Sequence, residues 1–430
     1  MEEIKKPIFI FLICYIIIIL ILEMIIRNPL YKYSLSYIEN IEPIRNDTSS
    51  FLYNYITIVD TYFGNFPTYI GSIFILIFHS IKDSFVYIFT FSISAYTNSL
   101  IKLIYKNERP FWTNHKIKVN SCSFGFGNPS GHSARSTIIF LSLYYYTANL
   151  KCLEKKNIIK KILIIPFLLI IFSVMYSRVF EGKHTFNQIL FGFSFGIFFY
   201  ILWFYLLKIQ NYTSRMFFDF VGSIYLHIFC LLIILLPFPI YFITSYFTDI
   251  NKLEELIPKY CYNENKKISD NKKFFKTGLI SAMKTTLLIG GVIGILFNKI
   301  IKKKYPYVDE ETILEWKNNN LRVKLLRIII IICFGAIPKI VFSIIKYKGN
   351  SFLYAIIYEI PTNIIEGFFI YGFGVFFSYL LFNSCINKID NDTLTSYGQI
   401  ILNETSQGDD EKEKDNVTIK KEIEINDVKV

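Results

Sequence analysis

The sequence predicts an all-α membrane protein, a polytopic helical bundle of about ten spans, and three observations lead there. Of the 430 residues, 53% are hydrophobic and 19% charged, with a mean hydropathy of +0.39; so few charges cannot coat a soluble protein of that length. The apolar residues fall in blocks near the ~20 residues that a helix needs to cross a bilayer. The Lys and Arg residues behind the net charge of +12 sit mostly in the connections between blocks. That is where the positive-inside rule puts them, and it removes nucleic-acid binding as a reading of the charge.

The blocks run approximately over 7–27, 65–81, 85–104, 132–150, 158–178, 184–207, 219–246, 275–300, 325–345 and 353–384. The first is too long for the apolar region of a signal peptide and lacks a small-residue cleavage site, so it reads as a retained anchor. The second and third are joined tightly around Lys82 and Asp83. The last holds Glu359, Pro361 and Glu366, which predicts a kink or a re-entrant stretch. Sorting the connections by side gathers Lys151, Lys155, Lys156, Lys160, Lys161, Lys208, Arg215, Lys299, Lys302, Lys303 and Lys304 on one face, with Arg322, Lys324 and Arg327. This basic side, with both termini, is expected in the cytoplasm. Residues 28–64, 105–131, 179–183 and 247–274 then lie on the lumenal or outer side, where Asn46, in Asn-Asp-Thr, is a candidate glycosylation acceptor. The seven cysteines show no CxxC and no paired Cys/His spacing, so neither a metal site nor a disulfide scaffold is indicated. Cys122 and Cys261 share the lumenal side and are a candidate pair. From about Asn387 the chain is polar and charged, which predicts a disordered cytoplasmic tail.

Three motifs stand at span boundaries on the lumenal side. The first runs from Lys102 to Arg109-Pro110-Phe-Trp, with Pro110 expected to stop the helix just after Arg109. An Arg fork with a Lys point charge is how a site grips a phosphate dianion, although basic residues at a span's end also simply snorkel. In the second, Cys122-Ser-Phe-Gly-Phe-Gly-Asn-Pro-Ser130-Gly131-His132 opens the fourth span. Its glycines permit close backbone approach, its helix start offers free N–H groups to an anion, Ser130 adds a hydroxyl and His132 is a candidate general acid. The third joins the fifth and sixth spans through Ser177-Arg178-x5-His184-x3-Gln188. Arg178 is a further phosphate clamp. Gln188, one turn beyond His184, is placed to accept from its Nδ1–H and leave Nε2 as a nucleophile. The topology rested on loop charge alone, so the convergence of all three motifs on one side is an independent sign of a shared phosphate site.

This pattern, Lys-x6-Arg-Pro, Pro-Ser-Gly-His and Ser-Arg-x5-His, resembles the type 2 phosphatidic acid phosphatase superfamily, which includes lipid phosphate phosphatases, glucose-6-phosphatase and vanadium haloperoxidases. The resemblance covers about residues 65–207 and implies a six-helix phosphatase core and metal-independent hydrolysis with no cofactor. By match, Lys102, Arg109, Ser130, Gly131 and Arg178 hold the phosphate, His184 is the nucleophile and His132 protonates the leaving oxygen. On this reading residues 1–64 are an anchor and lumenal loop, 208–386 additional spans and 387–430 the tail.

One position departs from the pattern, because Gln188 stands where the family carries Asp. An amide accepts the imidazole proton but does not stabilise an imidazolium as a carboxylate does. Glucose-6-phosphatases resemble this chain in having Gln there, and in the shape of Arg-Pro-aromatic-Trp and Cys-x2-Gly-x-Gly-x-Pro-Ser-Gly-His. Either Gln188 suffices or an acid from another span serves, with Asp270, Glu359 and Glu366 as candidates.

The leading expectation is phosphomonoester hydrolysis, with a lipid phosphate such as phosphatidic acid ahead of a sugar phosphate, in the endoplasmic reticulum with a lumenal site. The expected partners are that substrate and the bilayer, with no nucleic acid. A phosphotransferase, a catalytically impaired binding protein and a transporter are the other classes; no internal repeat speaks for the last. Tyr105, Phe111 and Trp112 are candidates to line an entrance, or plain interfacial anchors.

Overall fold

The first apolar block does not end where its hydropathy falls. The computed structural model describes residues 2–64, 67–114, 116–119, 125–150, 153, 155–210, 214–248, 282–304, 321–344, 354–378 and 380. In it α1 runs unbroken over Glu2–Asn40. The segment expected as a lumenal loop is therefore helical. It is the end of α1, then α2 (Glu42–Asn46) and α3 (Phe51–Ile58), which passes into a π-helical turn over Val59–Gly64. The chain stays helical there because its polar side chains have partners. Tyr31 bonds Thr113, the Ser34 hydroxyl accepts from the Phe186 N–H, Tyr37 bonds Tyr176, and Glu39 accepts from Asn114 and Lys116. The candidate glycosylation site Asn46 is exposed at the end of α2.

Next come α4 (Pro67–Phe78), α5 (Ile81–Tyr105), α6 (Pro110–Thr113), α7 (Gly131–Ala148), α8 (Asn157–Phe180) and α9 (Phe186–Gln210). The Ser80 side chain caps α5 by accepting from the Asp83 N–H. Its C-terminus corrects the sequence expectation. The helix stops at Tyr105, where Lys106 takes a left-handed conformation with φ 51° and sends its N–H to Lys102 O, and Pro110 instead opens α6.

Beyond these lie α10 (Ser214–Val221), α11 (Ile224–Leu235), α12 (Pro237–Tyr246), α13 (Leu287–Lys304), α14 (Leu321–Ile344) and α15 (Ile360–Phe368). The last is flanked by π-helical stretches at Ala355–Glu359 and Phe369–Gly374, so the irregularity expected around Pro361 takes the form of widened turns. The described helices up to Ser378 belong to one compact unit, and the described residues contain no strand.

Seven of these segments are long and apolar enough to cross a membrane: 10–40, 157–180, 186–204, 224–246, 284–301, 321–344 and 356–378. The protein is thus an all-α polytopic membrane bundle. The remaining sequence blocks became α4, α5 and α7. Helix α4 has 12 residues, and α5 and α7 bury polar faces inside the bundle, with Ser84, Thr90, Ser94 and Asn98 on the first and Ser133, Ser136 and Thr137 on the second. Their lower apolarity reflects packing against protein rather than lipid.

The helices meet through small residues. A Cβ on Gly192 would collide with the backbone carbonyl of Ser130, and one on Gly196 would stand 2.7 Å from both Ala134 O and Thr137 Cβ. Glycines four apart on α9 thereby let α7 lie against it backbone to backbone. Gly290 and Gly294 do the same for α13 against Ile364 O and the Gly372 N–H. Cys122, Cys261, Asp270 and the tail from Asn387 lie outside the described residues.

Gly192→Val forces the start of α7 away from α9, an overpacking that costs about 1–3 kcal/mol. We expect a lower thermal unfolding midpoint in detergent, read by tryptophan fluorescence, while valine at the lipid-facing Leu190 shifts it far less.

Candidate active site

The three motifs lie at helix ends, and local hydrogen bonding shapes each one. At the end of α8 the carbonyl of Arg178 accepts from the N–H groups of both Lys183 (3.1 Å) and His184 (3.2 Å). Gly182, with φ 69°, makes the left-handed turn this requires. The five residues between Arg178 and His184 are thus one tight return, which places the histidine beside the last turn of the helix that carries the arginine.

Gln188 lies one turn into α9, and its Oε1 is 3.1 Å from His184 Nδ1. Its Nε2 donates to Asn107 Oδ1 and to Glu108 O, each at 2.7 Å. Those donations fix which way the amide faces, so Oε1 accepts from Nδ1–H and the ring carries its lone pair on Nε2. Arg109 Nη1 donates toward that Nε2 at 3.2 Å. The same guanidinium is held by Gly125 O (2.6 Å) and Lys183 O (2.9 Å). Gly127 lies against the Gln188 amide so closely that a Cβ there would overlap it.

His184 is 2% exposed. Burial first, and then the charges of Arg109, Lys102 and Arg178, hold its imidazole well below the ordinary value, so it is neutral at physiological pH.

Ser130 caps α7. Its Oγ accepts from the Ser133 N–H and hydroxyl, and its own N–H donates to Gln188 O at 2.9 Å, which leaves the Ser130 hydroxyl proton to donate elsewhere. A Cβ on Gly131 would stand 3.3 Å from Asn98 Oδ1, 3.7 Å from Arg135 Nη2 and 3.9 Å from Lys102 Nζ. The start of α7 therefore faces the Lys102 ammonium, the arrangement that binds anions. His132 approaches the π-helical turn that follows α3. A Cβ on Gly64 would be 3.5 Å from its Cδ2 and 3.2 Å from Asp60 Oδ1. Asp60 in turn pairs with Arg178, which also meets Glu181 at 2.9 Å. Contacts thus link Lys102, Arg109, Ser130, Gly131, His132, Arg178, His184 and Gln188 into one cluster.

Several members of the cluster were not anticipated from the sequence. Arg135 donates to Gly131 O at 3.0 Å; its signal was the i, i+4 spacing from Gly131. Asn107 also accepts the Gly127 N–H on its carbonyl at 2.8 Å. Asp60 and Glu23 were lone acids in apolar helical stretches, a pattern that marks function. Glu23, 3% exposed, takes Arg27 bidentately (2.8 and 2.6 Å) and accepts from Asn128 Nδ2 at 2.7 Å, while Arg27 lies 4.6 Å over the Tyr105 ring. One acid of α1 thereby ties the Pro-Ser-Gly-His loop to the end of α5.

Other expectations are corrected. Glu366 pairs with Lys339 at 2.8 Å in a helix that packs on α13 and α14, and Glu359 receives Asn363 on its carbonyl; the group on His184 Nδ1 is Gln188. Phe111 and Trp112 are core residues packed with Phe126, so interior packing took these two candidates for an entrance, and the half-buried Tyr105 lies tilted against Phe191. Among the described residues no group of His, Cys, Asp and Glu side chains is placed to hold a metal ion.

The family described as the PAP2 superfamily matches residues 83–212, the stretch that carries all three motifs. No curated protein matches the chain. Among solved structures the chain is similar to the first transmembrane PAP2 type phosphatidylglycerolphosphate phosphatase from Bacillus subtilis, at 20% identity and a TM-score of 0.39, over 46% of this chain and 96% of that one.

Glu23→Leu leaves the Arg27 guanidinium and the Asn128 amide without their partner, at about 1–3 kcal/mol. We expect a measurable loss in detergent unfolding experiments, with Glu23→Gln in between because its carbonyl still accepts from Asn128.

Proposed function

We propose that this protein is a membrane phosphatase that hydrolyses a phosphomonoester through a phosphohistidine intermediate. The observation that carries the reading is the polarisation of one imidazole. Nδ1–H of His184 is held by Gln188 Oε1, and Nε2 points at the Arg109 guanidinium among cations from three separate segments.

The chemistry follows from those atoms. Lys102, Arg109, Arg178, the Ser130 hydroxyl and the start of α7 grip the phosphoryl oxygens and neutralise charge on the transition state. The Nε2 lone pair attacks phosphorus, the P–O ester bond breaks, and His132 gives its proton to the leaving oxygen. A water then attacks phosphorus and passes a proton to His132, the P–N bond breaks, and inorganic phosphate leaves. Gln188 fixes the tautomer and ring orientation throughout. Burial, helped by Arg109 and Lys102, keeps His184 neutral when the site is empty, and the two cations face a phosphoryl group when it is occupied, so a carboxylate is not required to hold the nucleophile in its reactive form.

The site lies at the ends of α5 and α8 and the starts of α7 and α9. The exposed lysines 155, 156 and 161 lie at the opposite end of α8. That charge asymmetry supports a site on the lumenal or outer side, with an endomembrane such as the endoplasmic reticulum as the setting. A lipid phosphate and a sugar phosphate meet the same phosphoryl chemistry and differ only in the alcohol that leaves.

Phosphate release by detergent-solubilised protein in EDTA is expected to vanish in His184→Ala. A brief incubation with labelled substrate should leave acid-labile, alkali-stable label on the wild type alone. Label that survives in His184→Ala assigns the nucleophile elsewhere. Because the His184 pKa is lowered and its neutral form reacts, the acid limb of kcat/KM that it controls should fall below pH 6.5. Gln188→Ala should lower kcat by about 10- to 100-fold, the usual cost of losing an orienting partner, with little change in KM.

A further inference from the structure

We propose that Asn98, with Arg135 beside it, forms a subsite for the leaving alcohol that reads a hydroxyl group close to the ester oxygen. The proposal rests on the phosphatase reading above and names its substrate class, a monoester of a polyhydroxylated alcohol.

Three observations converge. The Asn98 side chain is 5% exposed and its Nδ2 has no hydrogen-bond partner. Its amide points at the phosphate cradle, as its 3.3 Å approach to the Cβ position of Gly131 shows, in the company of Lys102 Nζ and Arg135 Nη2. The face of α5 that carries it is unusual. Hydroxyls inside helices ordinarily return their proton to a carbonyl one turn back, as Thr97 does to Ile93 O and Ser99 to Ala95 O. Thr90 and Ser94, which precede Asn98 at i, i+4 spacing on its own face, are buried with unbonded oxygens. At the end of that face, beside an anion site, an unbonded Asn98 amide is costly unless a ligand supplies the missing bond.

The chemistry of the amide points to a hydroxyl. The phosphoryl oxygens are already served by cations, and Asn98 offers both a donor and an acceptor, the complement of an alcohol O–H. Arg135 adds donors on the same side. An aliphatic leaving group in this place would leave the Asn98 amide buried and unpaired, and a site built to bond a substrate hydroxyl rejects analogues that lack it.

The test uses the full-length protein in detergent and two matched pairs of esters. Glucose 6-phosphate against hexyl phosphate probes a soluble source of the hydroxyl. Phosphatidylglycerol phosphate against phosphatidic acid probes a lipid headgroup. Wild type should favour the hydroxylated member of at least one pair by about 10- to 100-fold in kcat/KM, and the pair that shows it names the source. Asn98→Leu should bring that ratio to within about threefold of unity, and Asn98→Thr, which keeps a hydrogen-bonding oxygen, should restore part of it. Asn98→Ala reads the same ratio if leucine prevents monodisperse elution. Phosphate release without preference in either pair, or a preference that both apolar variants retain, overturns the subsite alone. No release from any of the four esters overturns the phosphatase reading and the subsite with it.

Discussion

Like charges gathered away from water repel, and the architecture of this protein is organised around holding such a gathering in place. Lys102, Arg109, Arg135, Arg178 and Lys183 converge at one end of a membrane bundle, and burial denies them the solvent that ordinarily screens them. The fold answers in two ways. Arg178 and Lys183 are met by carboxylates, Asp60 and Glu181, whereas Arg109 is met by the backbone carbonyls of Gly125 and Lys183. Carbonyls stabilise a guanidinium without neutralising it, so Arg109 keeps its full charge for an anion. Burial, with the same repulsion behind it, keeps His184 neutral.

The helix ends follow from that arrangement. Each motif stands where a helix stops or starts, since only there are backbone donors and acceptors free to turn toward a shared point. Bringing four such ends together requires axes closer than ordinary side chains allow, and Gly192, Gly196 and Gly127 remove the atoms that would intervene. The polar second half of α1 then binds the loops from outside, at Thr113, Asn114, Asn128 and Phe186.

Much of this was legible in the sequence because it is local. Apolar runs declare membrane helices, and the spacing from His184 to Gln188 declares one helical turn. What stayed hidden depends on tertiary placement. No pattern near Glu23 says that it reaches Asn128, and none near Asp60 says that it reaches Arg178. Hydropathy also misjudged both ends of its own scale. It closed α1 too early, because tyrosines and glutamates that bond other segments resemble loop residues, and it gave no sign that α5 and α7 bury polar faces against their neighbours. Pro110 was read as a helix stop, when the left-handed turn at Lys106 had already ended α5.

The long reach of α1 has a consequence for how the molecule is made. The helix leaves the ribosome before the segments it braces, so Ser34 finds its partner only when Phe186 has followed, and Glu23 waits for Asn128. At ordinary elongation rates that interval is roughly 5–30 s. Through it an acid and an arginine of the first helix must rest in the bilayer on each other alone, bound i, i+4 as a self-contained pair. The ion pair that braces the finished site is also what lets α1 wait in lipid for the helices that complete it.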